Sequence, residues 1–255
     1  MKKLVLALIA LLPVVAAAEP ARNGSLTLTP AVVVLRGTYG QSTTQRLTLT
    51  NGTSMKMTFD LLARDVVVRN GQRMFVDAGQ IDGSIAATAV FSRGHVTLQS
   101  GESTSVDVTF TMPPRTTCRA VAAMFRASAP IKNGTGSMVP AVGTLMTFRL
   151  SDEVGATGSG VVVRPQSRSA NAAFAEMYTN TGAEPLVAKG VVAILDGSGA
   201  LIGKAAMPPR RLLPSERVEM KSEYPGELRP GTYRVVLTVD LEGQTVTHDA
   251  QMRIQ

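Results

Sequence analysis

Glycines, prolines and Asn-Gly pairs interrupt this chain every 8 to 15 residues, and the runs between them are short and rich in Val, Thr, Leu, Phe and Met. No long segment carries helical spacing. A chain cut this often cannot build long helices, but it can build many short strands joined by tight turns. The runs alternate as half-buried strands must. Leu47 and Leu49 face one way, with Arg46, Thr48 and Thr50 opposite. Val106, Val108 and Phe110 share a parity, with Asp107 and Thr109 between them. Val121, Ala123 and Phe125 repeat the pattern. Asn70-Gly71, between Met57–Val68 and Met74–Val76, is a two-residue hairpin signal. The expected fold class is therefore all-β.

The ends and the composition bound the rest. Lys2 and Lys3, the apolar run Leu4–Val15 and Ala16-Ala17-Ala18 before Glu19-Pro20 read as a signal peptide over residues 1–18. That run is short for a membrane span, and no later stretch reaches 18 apolar residues. The expected product is a periplasmic or secreted protein with no membrane span after cleavage. Without Lys2 and Lys3 the chain keeps 24 basic and 19 acidic residues, net +5. The bases are scattered, only Arg210-Arg211 being adjacent, and aromatics make up 4%. No nucleic-acid partner is expected. Cys118 is the single cysteine, so the fold rests on its cores rather than on an internal disulfide.

Two domains are expected, residues 19–150 and 160–255, with Ser151–Ser159 as a linker. Each has the strand count of an immunoglobulin-like β-sandwich, giving two such sandwiches in tandem. Gln80–Ala89 and Ile131–Ser137 read as loops. Met138–Arg149 is read as the last strand of the first domain. Met138, Val142, Met146 and Phe148 fall on one parity, with Pro140 and Gly143 interrupting. Such a strand either closes its own sandwich or stands at an edge and offers that row to another protein. On this reading, charging Met146 and Phe148 separates the two cases. An edge strand leaves a folded protein that has lost its partner, whereas a buried one unfolds.

Catalytic and metal chemistry find no constellation, so no enzyme activity and no cofactor is expected. His95 and His248 lie in different domains, outside any metal spacing, and read as surface residues. No Gly-x-Ser-x-Gly occurs, and Gly197-x-Gly199 sits inside a hairpin turn. Asp77 and Asp82 are too few oxygens for a calcium loop. The 12 methionines are dispersed and read as core or groove filling rather than a copper site. Asn23-Gly-Ser, Asn51-Gly-Thr and Asn133-Gly-Thr match a glycosylation acceptor, but Asn-Gly is also the favoured tight-turn pair, and turns are expected.

Several of these features together resemble exported bacterial immunoglobulin-like proteins. In the first half they are Pro30, Leu35-Arg36-Gly37, Leu47–Asn51, Val96–Ser103, Val106–Phe110 and Met112-Pro113-Pro114. In the second they are Asp196–Gly199, Leu213-Pro214 and Leu228–Tyr233. Their order is similar to that of the periplasmic chaperones of chaperone–usher pilus systems. It is also similar to that of the WxL-interacting proteins of Gram-positive surfaces, which usually carry a C-terminal membrane span. The first resemblance implies a chaperone-like assembly factor that binds exported pilus or surface-structure subunits by strand addition. Met138, Val142, Met146 and Phe148 would then be the contact row. The alternative is a structural or adhesive surface module. Pilus chaperones hold the subunit's terminal carboxylate with one base in the first strand and another in the last strand of domain one. Here residues 29–31 carry no base and Leu145 stands about where a lysine is expected, leaving Arg36 and Arg149 as the nearest candidates.

Overall fold

The computed structural model describes residues 24–133, 136–167 and 170–255. The signal-peptide reading of residues 1–18, the Asn23 side chain and the side chains of the Asn133-Gly-Thr triplet lie outside the described residues.

The first sandwich is built from β1 (Leu26–Thr29), β2 (Val32–Arg36), β3 (Ser42–Asn51), β4 (Met57–Arg69), β5 (Gln72–Asp77), β6 (Val90–Phe91), β7 (His95–Leu98), β8 (Ser103–Thr111), β9 (Ala120–Ala127), β10 (Ile131–Asn133), β11 (Gly136–Met138) and β12 (Ala141–Arg149). The second holds β13 (Ala156–Gly158), β14 (Val162–Arg164), β15 (Ala172–Asn180), β16 (Leu186–Leu195), β17 (Leu201–Leu212), β18 (Arg217–Tyr224), β19 (Gly231–Asp240) and β20 (Thr245–Ile254). The chain is all-β, as two immunoglobulin-like sandwiches.

In the first sandwich one sheet runs β1-β3-β8-β6, and the facing sheet runs β2-β12-β9-β4-β5 with β7 also on β4. The chain changes sheets at Pro30, between β1 and β2. Alternation drives the packing. Leu47, Leu49, Val106, Val108 and Phe110 point inward from one sheet and Phe59, Val121, Phe125, Met146 and Phe148 from the other, all essentially inaccessible. Phe110 and Phe148 meet edge to face across the core at 6.1 Å. The outward face of β3–β8 is a hydroxyl ladder, Ser42–Thr111, Thr44–Thr109, Thr48–Ser105 and Thr50–Ser103, with the Arg46–Asp107 pair among them. In the second sandwich β17-β16-β19-β20 faces a sheet of β13, β14, β15 and β18 over a separate core that includes Phe174, Tyr178, Ile194, Leu237 and Met252.

Several local expectations change. Ile131–Ser137, read as a loop, contributes to the β10–β11 hairpin, in which Ile131 faces Met138. Met138–Arg149 is two strands rather than one, because Pro140 has no N–H to continue the ladder. Ala156–Gly158, inside the stretch read as a linker, pairs with β15. β17 runs through Pro208-Pro209 because a bulge opposite Ala188–Gly190 skips both prolines. Within Gln80–Ala89, Asp65 acts as a staple: its buried carboxylate accepts from the Ser84 hydroxyl and the Ala86 N–H, which fixes a turn of 3₁₀-helix at Ala86–Thr88. Asn51 is fully buried. Its amide donates to the carbonyls of Met55, Leu98 and Gln99, and its Oδ1 accepts from Thr53. The side chain is consumed in a turn. His95 is exposed. His248 is not a free surface residue: its Nδ1 lies 2.6 Å from Oε1 of the fully buried Glu176. Gly158 makes room, since a Cβ there would collide with that carboxylate.

Two outcomes follow from this core. Phe148→Ala should cost about 3–5 kcal/mol and Met146→Ala about 2–5 kcal/mol, read as a fall in the urea midpoint at unchanged m-value; a cost below ~1 kcal/mol would contradict their burial. Cys118 is 5% exposed, and burial, with Asp65 beside it, pushes its thiol up to about 11. At pH 8 it should react with a thiol reagent only after unfolding, because the thiolate is the nucleophile.

Candidate partner-binding edge and basic cleft

β12 is paired unequally on its two sides. Ala141–Thr147 face Arg126–Ala120 of β9, antiparallel. On the other side β2 lies parallel, but only against Leu145–Arg149. That ladder starts where the Leu145 N–H donates to the Ala31 carbonyl, and the Thr144 hydroxyl caps it on the Pro30 carbonyl. The Phe148 N–H donates the other way, to Arg119, and the Pro140 carbonyl accepts from Ala127. Even-numbered backbone groups therefore point to β9 and odd-numbered ones to the β2 side. Between Ala141 and Thr144 no described strand occupies that side, so the N–H groups of Ala141 and Gly143 face an open edge.

The six residues singled out from the sequence fall into three groups. Met138, 58% exposed, and half-buried Val142 flank the open edge, and Val139 beside them is 49% exposed. Met146 and Phe148 are 0% and 2% exposed inside their own sandwich. Their side chains point into their own core, and charging them breaks the fold under either reading, so that substitution does not discriminate as the sequence suggested. Their parity is right, but β2 and the facing sheet cover this half of the strand. Arg36 and Arg149 stand together at the far end of β12. Arg36 makes an exposed pair with Asp152 at 3.0 Å. Arg149 is engaged by Glu242 at 2.8 Å and by the Ser151 carbonyl. These contacts commit Arg149 to the joint between the sandwiches.

That joint is extensive. The Leu213 side chain sits on the outer face of the β9 sheet, against Val66, Ala120 and Ala122, where three small or β-branched residues leave a seat for it. Arg119 and Glu184, 11% and 2% exposed at the side chain, pair at 3.2 Å. Glu184 also accepts from the Leu150 N–H and the Ser151 hydroxyl. Arg73 on β5 pairs with Glu216 at 2.7 Å and donates to the Arg211 carbonyl. The tip of the β4–β5 hairpin is docked as well, with the Gly71 carbonyl accepting from the Arg217 N–H at 3.0 Å. Asn70 and Gly71 both have positive φ, and a Cβ on Gly71 would press on Arg217 Cβ.

Beside this joint, at the end of the open edge, lies a cleft of about 500 Å³. Val32 and Leu145 form its wall on the first sandwich, and Arg73, Arg210, Arg211, Glu216 and Arg217 surround it. Four arginines face one glutamate. Arg211 donates to the Thr147 hydroxyl and the Val33 carbonyl and has no carboxylate partner among the described ion pairs. Burial draws its pKa below the usual arginine value, with Glu242 opposing and Arg73 adding to the effect. The cleft thus holds excess positive charge on hydrogen-bond donors, which suits a carboxylate. The sequence reading missed these residues. Arg210-Arg211 was its only basic doublet, but nothing in the sequence places the end of β17 against β2.

Glu184→Gln should destabilise the protein by about 3–5 kcal/mol, because Arg119 loses its partner in a site with little water. Chemical denaturation measures the effect, and a change below ~1 kcal/mol would mean that the joint does not depend on this pair.

No protein-family model matches the sequence, and no curated protein sequence matches it either. Solved structures do resemble it. The class 5 fimbriae chaperone CfaA is 15% identical, over 91% of this chain and 99% of that one, with a TM-score of 0.43. A chain of the CsuC–CsuE chaperone–tip subunit complex, from the archaic Csu pili of Acinetobacter baumannii, is 8% identical over 89% and 97%, with a TM-score of 0.42. A chain of the Salmonella enterica SafA pilin–SafB chaperone complex is 11% identical over 90% and 96%, with a TM-score of 0.41. The solved structures that this chain resembles include those of fimbrial and pilus chaperones and their complexes, and also a PapD-like domain of human CEP192, 12% identical over 56% of this chain with a TM-score of 0.31.

Proposed function

We propose that the protein is a periplasmic, chaperone-like assembly factor that binds exported subunits of a pilus or related surface structure by strand addition to β12. The observation that carries this reading is the half-paired state of β12. Its N-terminal half is held by β9 yet its outward N–H and C=O groups have no partner among the described residues, beside exposed Met138 and Val139. A partner's extended segment would take these main-chain groups, and alternate apolar side chains would meet Met138 and Val142. Met146 and Phe148 act indirectly, anchoring the strand that presents the edge.

The position of the cleft adds a polarity. It opens at Leu145, where the free edge stops. A segment that ends there with its C-terminal carboxylate among Arg73, Arg210, Arg211 and Arg217 must run parallel to β12, collinear with β2. The bases that the family resemblance placed on two strands of domain one are here supplied largely by the second sandwich.

Photo-crosslinking in the periplasm tests this. A benzoylphenylalanine at position 143 should capture an exported protein through its C-terminal segment, and one at the exposed Val162 on the second sandwich should not. Ala141→Pro removes an outward N–H and should abolish the adduct in a normally folded protein. Arg210→Glu with Arg217→Glu should weaken capture by about tenfold or more, given the strength of charge-assisted hydrogen bonds. Capture from both positions alike, or capture that survives Ala141→Pro, would overturn the reading.

A further inference from the structure

A second edge of the same sheet is open, at the end opposite β2. β5 pairs through Arg64–Arg69 of β4 on one side and has no described partner on the other. Among the described residues several other edges are short or defended, although β2 at the far end of this sheet also exposes Val32 and Val34. β6 has two residues and β14 three. β17 carries Lys204, Pro208, Pro209 and Arg210. Such prolines and charges are how edge strands avoid pairing with other chains. β5 has neither a proline nor a lysine, and its two charges, Arg73 and Asp77, are of opposite sign and flank the apolar centre Met74-Phe75-Val76. Phe75 is 57% exposed and Met74 43%. Both ends of the strand are fixed, by the Arg73–Glu216 pair and by Arg64–Asp77 at 2.8 Å.

We propose that two copies of this chain associate through β5, antiparallel about a two-fold axis at Phe75. The charges on the strand select both the partner and the register. With Phe75 opposite Phe75, Met74 lies opposite Val76, and Arg73 lies opposite the second copy's Asp77. A two-fold centred on Met74 would set Arg73 against Phe75, and one centred on Val76 would set Phe75 against Asp77. Only the Phe75 register joins opposite charges. Directly opposed residues share a face of the sheet. Arg73, Phe75 and Asp77 share theirs with Val68, Val66 and Arg64 of β4. Each Asp77 then lies between its own Arg64 and the second copy's Arg73, and each Arg73 between Glu216 and the second copy's Asp77. The run Arg64–Asp77–Arg73–Glu216 alternates in sign across the junction. Phe75 stacks on its counterpart, and the two sheets continue into one. The contact is isologous, so it closes at two copies. It lies at the other edge of the sheet from Ala141–Thr144, so a dimer keeps the β12 edge of both copies free and shares only Arg73 with the arginine cleft.

Sedimentation velocity on the purified chain over a range of concentrations tests this together with two cysteine variants. The wild type should shift from monomer to dimer as concentration rises. Phe75→Lys, which sets like charges face to face at an exposed position, should stay monomeric with an unchanged melting curve. Cys118 is buried, so an introduced cysteine is the reactive thiol under mild oxidation. Phe75→Cys should form a covalent dimer, and Gln72→Cys should not, because the antiparallel register holds the two copies of residue 72 roughly 20 Å apart. A wild type that stays monomeric up to its solubility limit would overturn the proposal. So would a dimer indifferent to Phe75→Lys, or equal cross-linking from positions 72 and 75.

Discussion

The structure depends on how β12 satisfies its backbone. A strand inside a sheet needs partners on both sides, and β12 has both only from Leu145 onward. There it is a core strand, with Met146 and Phe148 sealed under the facing sheet and Phe148 packed edge to face on Phe110. Before that point it keeps the geometry of a sheet strand, set by β9, without a second neighbour among the described residues. One element thus joins a rigid anchor to an unfinished edge. The anchor limits the entropy lost when a further strand adds, because the template is already ordered.

The second sandwich makes the end of that edge chemically specific. Leu213 seats on Val66, Ala120 and Ala122, and the Arg119–Glu184, Arg73–Glu216 and Arg149–Glu242 pairs surround the seat. These contacts hold the end of β17 beside Val32 and Leu145. As a result Arg210 and Arg211 border a cleft that belongs to the first sandwich's free edge. Arg211 matters most, because it is half-buried, donates to two groups of the first sandwich and has no carboxylate partner of its own among the described ion pairs. The cost of burying its charge is offset in part by those bonds and would be offset further by an incoming anion.

Much of the fold is legible in the sequence because period-two alternation and turn residues are local signals. Leu47/Leu49 and Val106/Val108/Phe110 point inward as their parity requires, and Asn70-Gly71 turns where it should. Parity told which face Met146 and Phe148 share, but not whether a second sheet covers that face. That cover comes from the facing sheet, whose Phe110 on β8 packs on Phe148, and β2 closes only the edge of this half of the strand, through a contact more than 110 residues away in sequence. The arginine cleft was illegible for the same reason. Arg73, Arg211 and Arg217 are scattered in sequence, and only the seating of Leu213 and the docking of Gly71 bring them together. Nothing in the sequence singles out Asp65 and Glu176, on strands, or Glu184, in the β15–β16 connection, because acids in such places usually face water. Here each is buried with its own donors.

β12 is complete on one side and, among the described residues, open on the other between Ala141 and Thr144. Residue-resolved amide hydrogen exchange on the free protein measures this directly. Protection should alternate along the strand. Val142 and Thr144, donating to β9, should be slow, as should Leu145 on Ala31, while Ala141 and Gly143 should exchange at nearly unprotected rates. Uniform protection across residues 141–145 would mean that the edge is already filled in the free protein, and would contradict the account.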